Sequence, residues 1–306
     1  MRQLSKEIIN DVALNMGIAP SYIEKDWYLV QILQVMSQLN KDGIKAVFAG
    51  GTCLSKAYDY TKRFSEDIDF CITGLSDASR KVRSKFKDNL IQAINEIDGL
   101  NVDIETVKSR DENKFVNFYV EYPKQFDLEV SLRNNLKIEI SFREVYLPTS
   151  KKEIKTFVGN YLDDTPRADI DCVSYVETAA NKFNALLWRT DIKDRTQPQN
   201  SIKNDPALMR HLYDLNILYE DLITDNNFPR LVKEIYKEDC IRGDRTRNLS
   251  LKEFCDETVK TLTEDKEYRK EYEMFVSKIV YSEQENISFD DALNSFKKLV
   301  VYAIKD

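Results

Sequence analysis

The sequence predicts an α+β protein in which two helices lead into a mixed sheet and an all-helical half follows. Three observations carry this. Apolar residues recur at helical spacing over the first forty positions, the period changes to two between about 100 and 147, and helical patterns follow one another from 173 onward. The 306 residues suffice for two domains with separate cores. Pro148, Pro166 and the loss of alternation put the boundary near 160, giving domains 1–160 and 161–306.

Each element has its own signal. Leu4, Ile8, Ile9, Val12, Ala13 and Met16 share a helical face, and Gly17 and Pro20 end it. A second helix starts near Ser21 and turns Ile23, Trp27, Val30 and Leu33 inward. Residues 45–49 are a short apolar run stopping at Gly50-Gly51, which reads as a buried strand entering a turn; a helix over 52–60 and a strand over 67–72 follow. An amphipathic helix spans Ser79 to Ile97, before Gly99. Strands are expected at 101–107, 115–121, 126–132 and 136–143, with Asn134-Asn135 as a turn, and none after Pro148. The helical half is broken near Pro198, Pro206, Asn226 to Pro229 and Arg242 to Asn248.

Composition narrows the function. A chain that is 42% hydrophobic and 32% charged is an ordinary soluble globular one. It has no apolar run long enough for a membrane span, and Glu7 and Asp11 interrupt any leader-like block, so a cytoplasmic location and no membrane partner are expected. Five scattered cysteines form no C-x-x-C pair, and one histidine, His211, cannot build a multi-histidine metal site. Any metal chemistry therefore falls to oxygen ligands. The net charge of −7 argues against non-specific coating of nucleic acid, yet leaves room for local basic clusters. These are Arg80, Lys81, Arg83, Lys85 and Lys87 on one helix, Lys193, Arg195 and Lys203, and Arg242, Arg245 and Arg247.

The densest chemical signal runs from Phe48 to Phe70. A strand ending in Gly50-Gly51-Thr52 and opening a helix aims backbone N–H groups at one point, a geometry suited to phosphate, although the P-loop spacing is absent. Alone, the pair of glycines is equally well a tight turn. Asp67 and Asp69 lie two apart on a strand, so both carboxylates share a face while Ile68 and Phe70 take the other. At about 6–7 Å and an effective dielectric near 20 they repel by roughly 2–3 kcal/mol, which a divalent cation reverses. Alone, such a pair more often shows acids to solvent on an edge strand. A third acid completes a site of this kind; Glu139, set between Ile138 and Ile140, is one candidate and Glu129 competes with it.

Gly50-Gly51-Thr52 and Ser65-Glu66-Asp67-Ile68-Asp69, with Glu24-Lys25-Asp26-Trp27 upstream, resemble the AbiEii/AbiGii abortive-infection family. So do the helix from Glu177 through Lys182 to Arg189 and the run Arg210-His211-Leu212-Tyr213-Asp214-Leu215. These are nucleotidyltransferase-like toxins of type IV toxin–antitoxin systems, within the DNA polymerase β-type superfamily, and some members act in phage defence. The resemblance implies a polymerase β-like mixed-sheet domain followed by a helical one. It implies that Gly50, Gly51, Thr52 and Ser55 hold a triphosphate with Lys56 nearby, and that Asp67, Asp69 and Glu139 bind two magnesium ions. It also implies that Lys182 reaches the nucleotide phosphates and that Asp214 is needed for activity. The expected reaction moves NMP from an NTP to an RNA acceptor, the tRNA 3′ end, with a separately encoded antitoxin as partner. Two departures stand out: Thr52 replaces the usual serine, keeping a hydroxyl, and His211 stands where an aspartate is common, so a packed or surface histidine beside Tyr213 is expected there rather than a catalytic one. On the residues alone, Lys182 beside its apolar stripe is as well a snorkelling lysine, and Glu24-Lys25-Asp26 reads as a structural lock. Two competing functions remain: the same chemistry on a protein or small-molecule hydroxyl, and a catalytically idle member that only binds nucleotide or partner.

Overall fold

The computed structural model describes residues 4–129, 132–199, 201–241, 249–280 and 287–305. The basic run Arg242, Arg245 and Arg247 lies outside the described residues. The chain forms two units: residues 1–59 with 64–174, and residues 60–63 with 175–306.

In the first unit, α1 (Lys6–Met16) and α2 (Pro20–Gln38) precede β1 (Lys45–Ala49), the short α3 (Gly50–Lys56) and β2 (Asp67–Thr73). Then come α4 (Arg80–Asn95), β3 (Asn101–Arg110), β4 (Phe115–Glu121), β5 (Leu136–Ser141), β6 (Ser150–Lys155) and β7 (Arg167–Cys172). The strands make one mixed sheet in the order β3-β4-β5-β2-β1-β7-β6. β2–β5 and β1–β7 are parallel and the other pairs antiparallel. Pro20 starts α2 at a position where its missing N–H costs nothing. α2 is buried nearly all round, from Ile23 through Trp27 to Leu33 and Met36, as befits a helix inside a core. Its apolar residues join Phe48, Ile68, Phe70, Ile138 and Ile140 in one cluster.

Two expectations about strands are corrected. The described residues of 126–132, which are 126–129 and 132, form no strand: β4 and β5 are antiparallel neighbours pairing as far as Val120 with Leu136, so this stretch belongs to their connection. The apolar residues there pack as loop side chains, with Tyr122 and Leu132 buried and Phe126 against the core. Strands do continue past Pro148. β6 reads Ser-Lys-Lys-Glu-Ile-Lys and buries only Ile154, so it carries no apolar alternation to detect, and its lysines protect an edge from further pairing. In β7 the buried residues are Ala168, Ile170 and Cys172, two of them small, which mutes the period-two signal.

The second unit is helical: α5 (Tyr175–Asp191), α6 (Met209–Ile217), the short α7 (Tyr219–Leu222), α8 (Asn227–Ile241), α9 (Leu251–Glu264), α10 (Lys266–Ile279) and α11 (Phe289–Ala303). α5 is its axis. Phe183 meets Phe228 of α8 and Phe296 of α11 at ring distances of 5.9 and 5.2 Å, and Trp188 meets Phe254 of α9 at 4.8 Å. Such aromatic pairs add to the stabilisation from area burial alone. Ser250 and Glu253 close α9 with reciprocal capping bonds.

Candidate active site

β1 ends against the acidic strand. Gly50 follows Ala49 with a φ of +76°, in the left-handed region that side chains avoid. A Cβ built there would fall within the Asp69 carboxylate, so glycine is required both for the turn and for the approach of Asp69. The buried Thr52 hydroxyl donates to the Asp67 carbonyl and lies 2.9 Å from the Ser65 hydroxyl, while Ser55 Oγ donates to the Thr52 carbonyl at 3.1 Å. The turn and the start of β2 are thereby fastened together.

Strand register assembles the acids. β2 and β5 run parallel with Asp67 opposite Lys137 and Asp69 opposite Glu139. Ile68, Phe70, Ile138 and Ile140 fill the core on the other face. Asp67, Asp69 and Glu139 therefore share one face of two adjacent strands, whereas Glu129 is exposed in the loop between β4 and β5. Like charges directly opposite are unfavourable in a sheet; at about 5 Å and an effective dielectric near 20 the repulsion is ~3 kcal/mol.

Two basic residues offset it. Arg133 pairs with Asp67, and Lys137 pairs with Glu139. The Arg133 backbone is clamped as well: its N–H donates to Glu66 Oε2 at 2.9 Å and its carbonyl accepts from Lys25 Nζ at 2.9 Å. Lys25 also pairs with Glu66, and burial lowers its pKa against the opposing pull of that carboxylate. Among the described residues, no three His, Cys, Asp or Glu side chains converge as a ready metal site in this state. The donor set itself fits a hard divalent cation, being carboxylates only, on one face, with Asp69 set so close to the Gly50 turn that a Cβ there would collide with it.

The residues Glu24-Lys25-Asp26 of α2 are all buried. Glu24 accepts from the Gln125 N–H at 2.8 Å, and Asp26 accepts from the Phe157 N–H at 2.6 Å. Asp26 also pairs with Lys56, whose ammonium lies 4.3 Å from the Phe157 ring centre. Burial pushes the Asp26 pKa up and Lys56 opposes it. Lys56, expected beside the triphosphate, thus has its charge matched by a buried carboxylate at the end of α3.

In the second unit, Lys182 of α5 and Asp214 of α6 meet: Nζ lies 2.7 Å from Oδ2. Arg63 donates from Nε to Oδ1 at 2.6 Å and from Nη2 to Oδ2 at 2.7 Å. Burial alone would raise the Asp214 pKa, but Arg63 and Lys182 outweigh it and hold it at about 2. Burial lowers the Lys182 pKa despite its partner. Of the packed and surface alternatives for His211, the structure has the packed one, and neither ring nitrogen has a hydrogen-bond partner among the described residues. Burial, then Lys182, Arg210, Arg189 and Arg63, push its pKa well below 6.5.

The family described as nucleotidyl transferase AbiEii toxin of type IV toxin–antitoxin systems matches residues 31–295, a span holding the Asp67, Asp69 and Glu139 face and the Asp214 cluster, with Glu24-Lys25-Asp26 just before it. The chain belongs to this family. It is a nucleotidyltransferase toxin, for which the family implies a nucleoside triphosphate substrate and an antitoxin. Among solved structures it resembles MenT4, a nucleotidyltransferase toxin from Mycobacterium tuberculosis H37Rv. The TM-score is 0.58 and the identity 19%, over 97% of this chain and 99% of that one, which establishes the shared fold. No curated protein matches the sequence. Among the described residues, no helix is long and apolar enough to cross a membrane.

Four charged residues of this AbiEii member's carboxylate face and Asp214 cluster have no individual role in the sequence reading: Arg63, Arg133, Lys137 and Glu66, the last of which stands within the Ser65 to Asp69 motif. Lys137 had a usable signal, since it lies two before Glu139 and so on the same face of the strand. Arg133 had none, because its loop has no period from which to read direction. Of the basic clusters, Arg83 is buried and donates to the Glu112 carbonyl at 2.9 Å. Lys193 and Arg195 face Glu271, and Arg195 also faces Asp265. Arg80, Lys81 and Lys85 of α4 remain exposed.

Proposed function

We propose that the Asp67–Asp69–Glu139 face catalyses magnesium-dependent transfer of NMP from an NTP to an RNA hydroxyl, at the tRNA 3′ end. The observation that carries this reading is the approach of Asp69 to Gly50, which puts a phosphate-type turn and a register-matched acid trio in one place. Asp67, Asp69 and Glu139 would hold two magnesium ions, which when bound supply positive charge to the reacting phosphate and to the leaving group. The backbone N–H groups of Gly50 and Gly51 and the Ser55 hydroxyl hold the triphosphate. Thr52 positions that turn on β2 through the Asp67 carbonyl. Glu139 takes the proton of the acceptor hydroxyl as its oxygen bonds to the α-phosphorus, while the bond from that phosphorus to the bridging oxygen breaks and pyrophosphate leaves. Asp214 orients Lys182, whose ammonium supplies charge to a phosphate. The exposed Arg80, Lys81 and Lys85 support an acceptor with a phosphate backbone.

The test supplies each α-³²P-labelled NTP with total tRNA and magnesium to the full chain. The expected result is label on the tRNA 3′ end from one favoured nucleotide. Label on protein, or on no acceptor, removes tRNA from this reading.

A further inference from the structure

Most basic side chains near the carboxylate face are locked. Lys25 is fully buried between Glu66 and the Arg133 carbonyl, and the Lys56 side chain, 9% exposed, is held against buried Asp26. Arg133 and Lys137 differ: their side chains are 41% and 21% exposed, and each pairs with one of the acids assigned to the metal. Their main chains are nonetheless fixed. Arg133 is clamped by Glu66 and Lys25 on either side of its peptide, and Lys137 sits in β5 directly opposite Asp67. Each is a movable cation on an immovable anchor.

Charge decides what such cations do. Asp67, Asp69 and Glu139 together with Arg133 and Lys137 sum to a formal charge of about −1. Divalent cations taking the carboxylates leave the two bases surplus beside them, and the nearest compensation is the anionic triphosphate that arrives with the metal. The part-exposed Lys137–Glu139 pair is worth about 0–1 kcal/mol, so its partners exchange at small cost, whereas Asp67 is buried and gives up Arg133 only when a divalent cation replaces that positive neighbour. A guanidinium also binds phosphate through a two-pronged contact that an ammonium lacks.

Resting on the metal-dependent reading above, we propose that Arg133 and Lys137 are exchangeable counter-charges. They neutralise Asp67 and Glu139 in the nucleotide-free protein and pass to the nucleotide phosphates when a divalent cation takes the acids. They are binding residues for the substrate as well as competitors of the metal. Arg133 and Lys137 thereby couple metal entry to nucleotide entry.

The experiment measures Mn²⁺ alone, by its free-ion electron paramagnetic signal, binding to the nucleotide-free full chain. A non-hydrolysable NTP analogue is then measured by calorimetry at saturating Mn²⁺. Arg133→Gln and Lys137→Gln should each tighten Mn²⁺ roughly three- to tenfold and weaken the analogue by about tenfold. Arg133→Lys, which keeps the charge but not the fork, should restore Mn²⁺ affinity to the wild-type value while the analogue stays weakened. Thermal melting checks that every variant is folded, and Asp69→Asn marks loss of the metal. If the wild type binds Mn²⁺, Asp69→Asn does not, and neither Gln variant changes, the exchange is wrong while the metal reading stands. If the wild type and Asp69→Asn fail alike to bind Mn²⁺, both fall. Tighter Mn²⁺ with unchanged analogue binding also overturns the exchange.

Discussion

Arg63 grips both oxygens of Asp214, at 2.6 and 2.7 Å, with its own side chain 2% exposed and the carboxylate wholly buried. Lys182 shares the same acid. Segment 60–63 is thereby held in the helical unit, where Tyr60 also donates to Asp221 at 2.7 Å. Removing one partner of a buried pair leaves an uncompensated charge, which costs about 3–5 kcal/mol. Asp214→Ala leaves two such cations. It should lower the urea midpoint of unfolding strongly, and Arg63→Lys, which loses the fork, should lower it less. An unchanged midpoint in Asp214→Ala would show that the pair adds nothing to the fold.

The same acid sets a pH window. Its folded pKa of about 2 lies below the ordinary value of 3.8, so its stabilisation is full above pH 3.8 and is lost as pH falls toward 2. Comparing wild type with Asp214→Asn by unfolding between pH 5 and 2 should show the difference shrinking over the lower part of that range.

His211 acts earlier. Its folded pKa is well below 6.5, and Lys182, Arg210, Arg189 and Arg63 all oppose its protonation. Below pH 6.5 the unfolded chain therefore binds a proton that the folded chain refuses, and stability falls with pH by up to ~1.4 kcal/mol per unit. It is the chain's one histidine. His211→Leu should flatten the melting temperature between pH 7 and 5.5, where the wild type declines.

Gly50→Ala places a methyl group where the Asp69 carboxylate lies and forces a side chain into a left-handed conformation. Displacing one acid by about an ångström is expected to cost at least roughly a hundredfold in transfer rate. The protein should still fold, by circular dichroism. Near wild-type transfer would mean that the contact of turn and acid is incidental.

Glu139→Gln removes the acid opposite Asp69 and should lower transfer by about 10²–10⁴-fold without loss of melting temperature, since it also removes a like-charge pair. Glu129→Gln, off the sheet, should leave the rate unchanged. Equal effects from both substitutions would reject the register argument.

Much of this protein was legible before its structure. β1, β2 and the helix α4 follow directly from apolar period and punctuation, and the D-x-D pair showed its shared face through strand geometry alone. The pattern after the glycine pair predicts a helix over 52–60, whereas the helix spans Gly50–Lys56. Nothing local announces that residues 60–63 pack with a distant helical unit. β6 was missed because an edge strand rich in lysine has no buried face to declare. The choice of Glu139 over Glu129 was open in the sequence, since it depends on strand pairing. The partners of Asp67, Asp26 and Asp214 were invisible for the same reason: Arg133, Lys56 and Arg63 come from 66, 30 and 151 residues away.

The most direct test of the central claim is single-turnover transfer of label from an α-³²P-labelled NTP to tRNA, comparing wild type with Asp69→Asn under saturating magnesium. The account predicts label with the wild type and its loss in the folded variant, because Asp69 is the acid shared by the glycine turn and the β5 register. Equal labelling by both proteins would contradict it and move the chemistry away from this face.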